Sequence, residues 1–115
     1  MSISEREVEA AEINLDLPRK LLNKQYRDDF FRAECAARVA RQLIDLRKQR
    51  KLTQAQLAEL VGTKQPAIAK AERADNQNRH FSVILQIAAA LDARVTVTIE
   101  PVENILSEYD DVYSA

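Results

Sequence analysis

The chain has 115 residues, 46% of them apolar, with one Gly, three Pro, three Phe, three Tyr and no Trp. This composition predicts a single, mostly helical domain with extensions and an aliphatic core. The lone Cys35 excludes a disulfide framework or a cysteine metal cluster within one chain. No apolar run reaches the length of a signal peptide or membrane span, which predicts a cytoplasmic protein without membrane association.

The formal net charge of −1 hides an asymmetry. Residues 1–18 carry five acidic side chains and one basic, residues 19–94 carry sixteen basic against eight acidic (a net of +8), and residues 95–115 carry five acidic and none basic. A basic centre between acidic ends fits nucleic acid in the middle and another partner at the termini.

Residues 1–18 form an acidic segment, Glu-rich and poor in large apolar residues as far as Asp16, and are expected to be flexible. Within it Ile13 to Leu17 alternates apolar and polar residues, the pattern of a short strand ended by Pro18. From Arg19 to Arg50 there is neither Gly nor Pro, and Leu22, Tyr26, Phe30, Ala33, Ala37, Ala40 and Ile44 recur at helical steps. That stripe predicts one helix of about eight turns, or two helices with a bend near Ala33–Ala37. Residues 19–38 are an arm whose Tyr26, Phe30 and Phe31 pack on the domain, a dimer mate or a partner. Cys35 reads as a small packing residue. Residues 39–92 are the domain proper.

Arg47 to Arg73 holds two short helical patterns joined by a turn with the only glycine, Gly62. Thr53 and Gln56 have capping-box spacing. Leu57, Ala58, Leu60 and Val61 form an apolar face, and Ala58 is small enough for a second helix to cross closely. Gly62 suits a left-handed helix end. Thr63 or Gln65 opens the next helix, with Pro66 tolerated in its first turn. Ile68 points inward, leaving Lys64, Gln65, Ala67, Lys70 and Arg73 outside. This arrangement predicts a helix-turn-helix, with a polar, basic second helix for the major groove of double-stranded DNA.

The run from Leu46 through Gln65, continued by Ile68 and Glu72, resembles the Xre/Cro type of phage-repressor DNA-binding domain, most of all the HigA and HipB kinds of antitoxin. The resemblance extends over residues 39–102. It implies an ion pair between Arg47 and Glu72 that ties the first helix to the end of the recognition helix. It also puts Asn76 and Arg79, in the polar loop Arg73 to His80, level with residues that touch phosphate. Pro66 and Ala69 stand where relatives often carry hydrogen-bonding side chains.

Phe81 to Leu91 predicts a fourth helix with Phe81, Ile84, Leu85, Ile87, Ala88 and Leu91 inward. The period then changes: Arg94 to Glu100 alternates β-branched residues, which predicts a strand ended by Pro101. A lone strand must pair. The resemblance implies pairing through residues 93–102 of two subunits, with Val95, Val97 and Ile99 in the dimer strand; pairing with Ile13–Leu17 is the alternative. Residues 103–115 form an acidic tail with Ile105, Leu106, Tyr109, Val112 and Tyr113, a weak helix or a partner-binding peptide.

The expected fold is therefore mainly α: a phage-repressor-like bundle of four to five helices, a long N-terminal arm and one C-terminal strand paired across a dimer. The expected function is a homodimeric, sequence-specific repressor on a palindromic operator. By resemblance it is the antitoxin of a toxin–antitoxin pair; a stand-alone repressor and a protein adaptor are the alternatives. Lys64, Gln65, Ala67 and Lys70 are the expected base-reading residues, and Gln54, Arg73, Asn76 and Arg79 the expected phosphate contacts. No paired carboxylates, metal-ligand spacing or phosphate loop suggests an enzyme, a metal or a cofactor.

Overall fold

The computed structural model describes residues 17–113, with side chains through residue 108. The expected flexible segment up to Asp16, most of the Ile13–Leu17 alternation, and the side chains of Tyr109, Val112 and Tyr113 lie outside the described residues. The chain divides into two compact units, residues 31–97 and a second unit formed by the residues on either side of them.

Helix α1 spans Lys24–Gln49 without interruption. Of the two expectations, one helix or two with a bend near Ala33–Ala37, the single helix forms there, where Ala33, Glu34, Ala36 and Ala37 are strong helix formers. The break lies upstream. Asn23 Oδ1 accepts from the Tyr26 amide at 2.9 Å, an N-cap that starts the helix. Leu17 belongs to a helical turn at residues 17–20 and not to a strand, its carbonyl accepting from the Leu21 amide.

The buried face of α1 is Ala36, Ala40 and Leu43, not the stripe through Leu22, Ala33 and Ala37. Ala33, Ala36, Ala37 and Ala40 share one side of the helix, so periodicity located that side but not which edge of it is buried.

In the unit of residues 31–97, α2 (Gln54–Val61) packs against α3 (Gln65–Ala71) and α4 (Phe81–Ala90). Leu43, Leu57, Ala58, Ile68, Ala71, Ile87 and Leu91 form the core, with Val39, Leu46, Leu52, Val61, Val83 and Ala90 around it. Leu60, Phe81 and Leu85 do not join them. Phe81 is 52% and Leu85 45% exposed, forming an outer apolar stripe one turn long on α4.

Three helices end alike. The amides of Leu52, Thr63 and Ala93 reach back to the carbonyls of Arg47, Ala58 and Ala88, and those of Lys51, Gly62 and Asp92 to Lys48, Glu59 and Ala89. These are Schellman ends, with left-handed residues at Lys51 (φ 60°), Gly62 (φ 85°) and Asp92 (φ 53°). Only the turn between α2 and α3 has the residue without a Cβ.

Residues 93–100 form neither helix nor strand, which corrects the predicted strand at Arg94–Glu100. The segment has no ladder partner among the described residues, and an extended chain without one is not a sheet. Val97 is 62% and Ile99 93% exposed, while Val95 is half-buried.

In the second unit, Leu17 and Leu21 are buried, and the Tyr26 and Phe30 rings stack with centroids 6.3 Å apart. The tail forms a helix, α5 (Val102–Tyr113), opened by the Asn104 amide donating to the Pro101 carbonyl.

A Cβ added at Gly62 would meet nothing within 4 Å. Gly62→Ala is therefore expected to cost only the left-handed backbone term, about 1–2 kcal/mol. Lys51 already carries that strain, so Lys51→Gly should raise stability by roughly 0.5–1 kcal/mol after glycine's entropy cost. Thermal denaturation checks both, with opposite shifts in Tm expected.

Candidate nucleic-acid interface

The second helix of the predicted motif, α3, is seven residues long. Its start follows from the Gly62 turn: of the expected Thr63 or Gln65 it is Gln65 that opens the helix, with Lys64 as the cap. Lys64 is extended (φ −101°, ψ 151°) and provides no side-chain cap. Pro66 lies in the first turn, where its missing N–H has no helical acceptor. Ile68 and Ala71 are buried behind the helix, whereas Lys64, Gln65, Ala67 and Lys70 are all exposed. The four expected base-reading residues are thus all open to solvent.

The helix ahead of it is fixed by its own cap. Thr53 Oγ1 accepts from the Gln56 amide at 3.1 Å, and Gln56 Oε1 accepts from the Thr53 amide at 2.9 Å. Both halves of the capping box are therefore made.

Behind the open surface lies a buried ion pair. Arg47 Nε donates to Glu72 Oε2 at 2.7 Å and a terminal nitrogen donates to Oε1 at 3.0 Å, with side chains 11% and 4% exposed. Arg47 also donates to the Leu52 carbonyl at 2.8 Å, in the turn between α1 and α2. Glu72 caps the end of α3 and is the one buried charged residue among the described residues.

The network continues outward through the glutamines. Gln54 Nε2 donates to Glu72 Oε1 at 3.0 Å, and Gln65 Nε2 donates to Gln54 Oε1 at 2.6 Å. Gln54, expected as a phosphate contact, thus orients Gln65 at the front of α3. Gln65 keeps its oxygen and one N–H for a further partner.

The other expected phosphate contacts differ in how freely they can reach a ligand. Arg73 lies at the surface in a two-point pair with Asp75, at 3.2 and 3.0 Å. That guanidinium holds the Asp75 carboxyl below its ordinary value. Asn76 donates to the Lys70 carbonyl at 3.0 Å, and its side-chain oxygen accepts from the Asn78 amide. Arg79 is turned inward, its guanidinium on the carbonyls of Ala36 (3.0 Å), Ala71 (2.5 Å), Asn76 (2.7 Å) and Arg73. Burial pushes its pKa down from the ordinary arginine value.

Two functional details escaped the sequence. Arg50 donates to the carbonyls of Leu91 (3.0 Å) and Asp92 (3.4 Å), placing a cation at the C-terminal end of α4. The Gln54–Gln65 bond joins residues eleven apart, and no local spacing rule signals it. The dimer-strand residues Val95, Val97 and Ile99 fall in the segment without a ladder, away from this surface in sequence. Among the described residues no group of three or more His, Cys, Asp and Glu could hold a metal ion, and no helix is long and apolar enough to cross a membrane.

A family model described as a helix-turn-helix domain matches residues 28–100. Comparisons with curated proteins and with solved structures return no match.

Glu72→Ala should strand the Arg47 guanidinium without a counter-charge and cost about 3–5 kcal/mol. The double substitution Arg47→Met with Glu72→Leu should be far milder, because it removes both desolvated charges together. Urea denaturation of the two single variants and the double variant measures the coupling.

Proposed function

Given that the chain belongs to the helix-turn-helix domain family, we propose that it is a sequence-specific DNA-binding repressor of the Xre/Cro type. It is not an enzyme in this reading and needs no cofactor. The observation that carries the proposal is the exposure of Lys64, Gln65, Ala67 and Lys70 along a short helix and its cap, braced by Ile68, Ala71 and Glu72.

The chemistry suits the major groove. Gln65 retains the acceptor and donor that match adenine N6 and N7, and Lys64 and Lys70 can donate to guanine O6 and N7. Ala67 offers a methyl group to thymine. Arg73 can exchange Asp75 for a phosphate oxygen, and the Gln54 amide lies at the first position of α2, where helix N–H groups favour anions. Residues 31–97 carry twelve basic against six acidic side chains, a net of +6, which supports attraction to the phosphate backbone.

One such domain covers a single half-site, whereas selection of one operator from a genome needs two. The protein works as a homodimer. Its joining surface includes the extended segment with exposed Val97 and Ile99, whose backbone is open to strand pairing with a second copy. The acidic ends, residues 1–18 and 95–115, suit a basic partner protein. That charge complementarity supports the finer reading of an antitoxin that represses its own operon and neutralises a toxin encoded beside it.

Binding to the chain's own promoter, measured against random duplex and across salt concentration, tests the function; equal affinity for both sequences would sink it. Gln65→Ala is expected to cost about 1–3 kcal/mol on the cognate site and to relax preference at one base pair.

Asp75→Asn releases Arg73. Since the Asp75 pKa is depressed in the fold, the Arg73 contact is present at neutral pH and is lost only as the pH falls through that lowered value. At neutral pH the substitution should therefore tighten binding to all sequences and steepen the salt dependence by about one unit. Filter binding at several salt concentrations measures it.

Val97→Pro should leave helical content intact, give monomers by sedimentation, and abolish operator binding without altering a DNA-facing residue. A variant that stays dimeric would move the interface to another surface, such as the Phe81–Leu85 stripe.

A further inference from the structure

We propose that Arg79 is a positioning residue for DNA reading: it fixes the exit of the recognition helix and does not itself touch phosphate. The proposal rests on the reading of α3 as that helix. Four of the five guanidinium N–H groups are engaged, on the carbonyls of Ala36 in α1, Ala71 at the end of α3, and Arg73 and Asn76 in the loop that follows. One side chain thus joins the end of α3 and the loop after it to α1, whose Ala36 is 43 residues away in sequence.

The need for such a clamp follows from the length of α3. A helix of seven residues is about two turns, so a large share of its carbonyls lack intrahelical partners. Its front is held by Gln54 on Gln65, and Glu72 is held by Arg47. The Gln54–Glu72 bond fixes the Glu72 side chain but leaves the backbone around Lys70, which must be presented, to other groups. There Asn76 Nδ2 donates to the Lys70 carbonyl, and the Asn76 carbonyl is in turn fixed by Arg79. Lys70 is therefore tied through Asn76 and Arg79 to α1. A cation at the C-terminal end of α3 also complements the helix dipole.

Moving Arg79 onto a phosphate would abandon four carbonyls for one anion; the Arg73 carbonyl would keep the Asn76 amide, but those of Ala71 and Asn76 would lose their guanidinium donors. Besides Arg73, the groups left for phosphate in this loop include backbone: the amides of the exposed Ala74 and Gln77 make no hydrogen bond within the described residues. Lysine cannot substitute, because three donors on one flexible point cannot span this planar set of acceptors.

The test uses the full chain and an operator enriched from random duplexes by the wild-type protein. In the wild type, the Arg79 Nε–H signal in nitrogen-15 NMR should exchange slowly and stay in place when operator is added. Arg79→Lys should lower amide protection over residues 70–79 at least about tenfold, while α2 and α4 change little. Operator affinity of Arg79→Lys should fall about tenfold or more, with the slope of log Kd against log salt changed by less than about half a unit.

The opposite results are distinct. If the Nε–H signal shifts on DNA addition, Arg79→Lys keeps wild-type affinity and Arg79→Met flattens the slope by about one unit, then Arg79 is a phosphate contact and the proposal is overturned. If protection is lost but operator affinity is unchanged, Arg79 serves the loop alone, which also overturns it. Should Arg79→Lys fail to fold, the wild-type NMR signal decides. A wild-type protein that enriches no duplex overturns the DNA-reading function itself and this role with it; loss of binding confined to the variants does not.

Discussion

A guanidinium and a carboxylate taken out of water together, Arg47 and Glu72, are the constraint on which the reading surface depends. Removing two charges from solvent is unfavourable unless every remaining donor and acceptor finds a partner. Here Arg47 satisfies both oxygens of Glu72 and the Leu52 carbonyl, and Gln54 adds a further donor to Glu72. No buried side-chain polar atom among the described residues lacks a partner. Because the pair joins α1, the turn after it, the start of α2 and the end of α3, none of these can shift without stranding a charge. The benefit lies more in geometric uniqueness than in net stability, since an apolar pair of similar volume could fill the same space.

A second principle repeats across the fold: arginines satisfy backbone carbonyls at turns and helix ends. Arg47 holds Leu52, Arg50 holds Leu91 and Asp92, and Arg79 holds the carbonyls around the exit of α3. Residues that a charge count assigns to nucleic acid are therefore partly structural. The cations free to meet DNA are fewer, chiefly Lys64, Lys70 and, after release from Asp75, Arg73. A short recognition helix with few charged contacts fits a protein that relies on two half-sites and on backbone amides for the rest of its grip.

The apolar surface outside the core follows a related logic. Phe81 and Leu85 sit at the edge of the helix face that Ile87, Ala88 and Leu91 fill. Val97 and Ile99 sit on a segment with no ladder partner among the described residues. Exposed apolar side chains scattered in this way are ordinary on a protein surface and by themselves mark no interface.

Local chemistry determined much of this protein in advance. The Thr53–Gln56 box, the left-handed Gly62, the first-turn Pro66 and the inward Ile68 depend on neighbours within a few residues, so the sequence carried them plainly. The outward set Lys64, Gln65, Ala67 and Lys70 followed from the same helical register. Family likeness, not periodicity, supplied the Arg47–Glu72 pairing. What only tertiary structure decided were choices among equivalents and contacts across long separations. Alanines along one side of α1 left the edge of its buried face open until packing selected Ala36, Ala40 and Leu43. Phe81 and Leu85 lie at the edge of the face that Ile87, Ala88 and Leu91 turn to the core, and only packing decided how far that face extends. Arg79 looked like a surface cation because the carbonyls that hold it, from Ala36 to Asn76, converge only when the chain has folded. The alternation at Arg94–Glu100 signalled a strand, yet a strand exists only with a partner, and no residue within the segment can provide one.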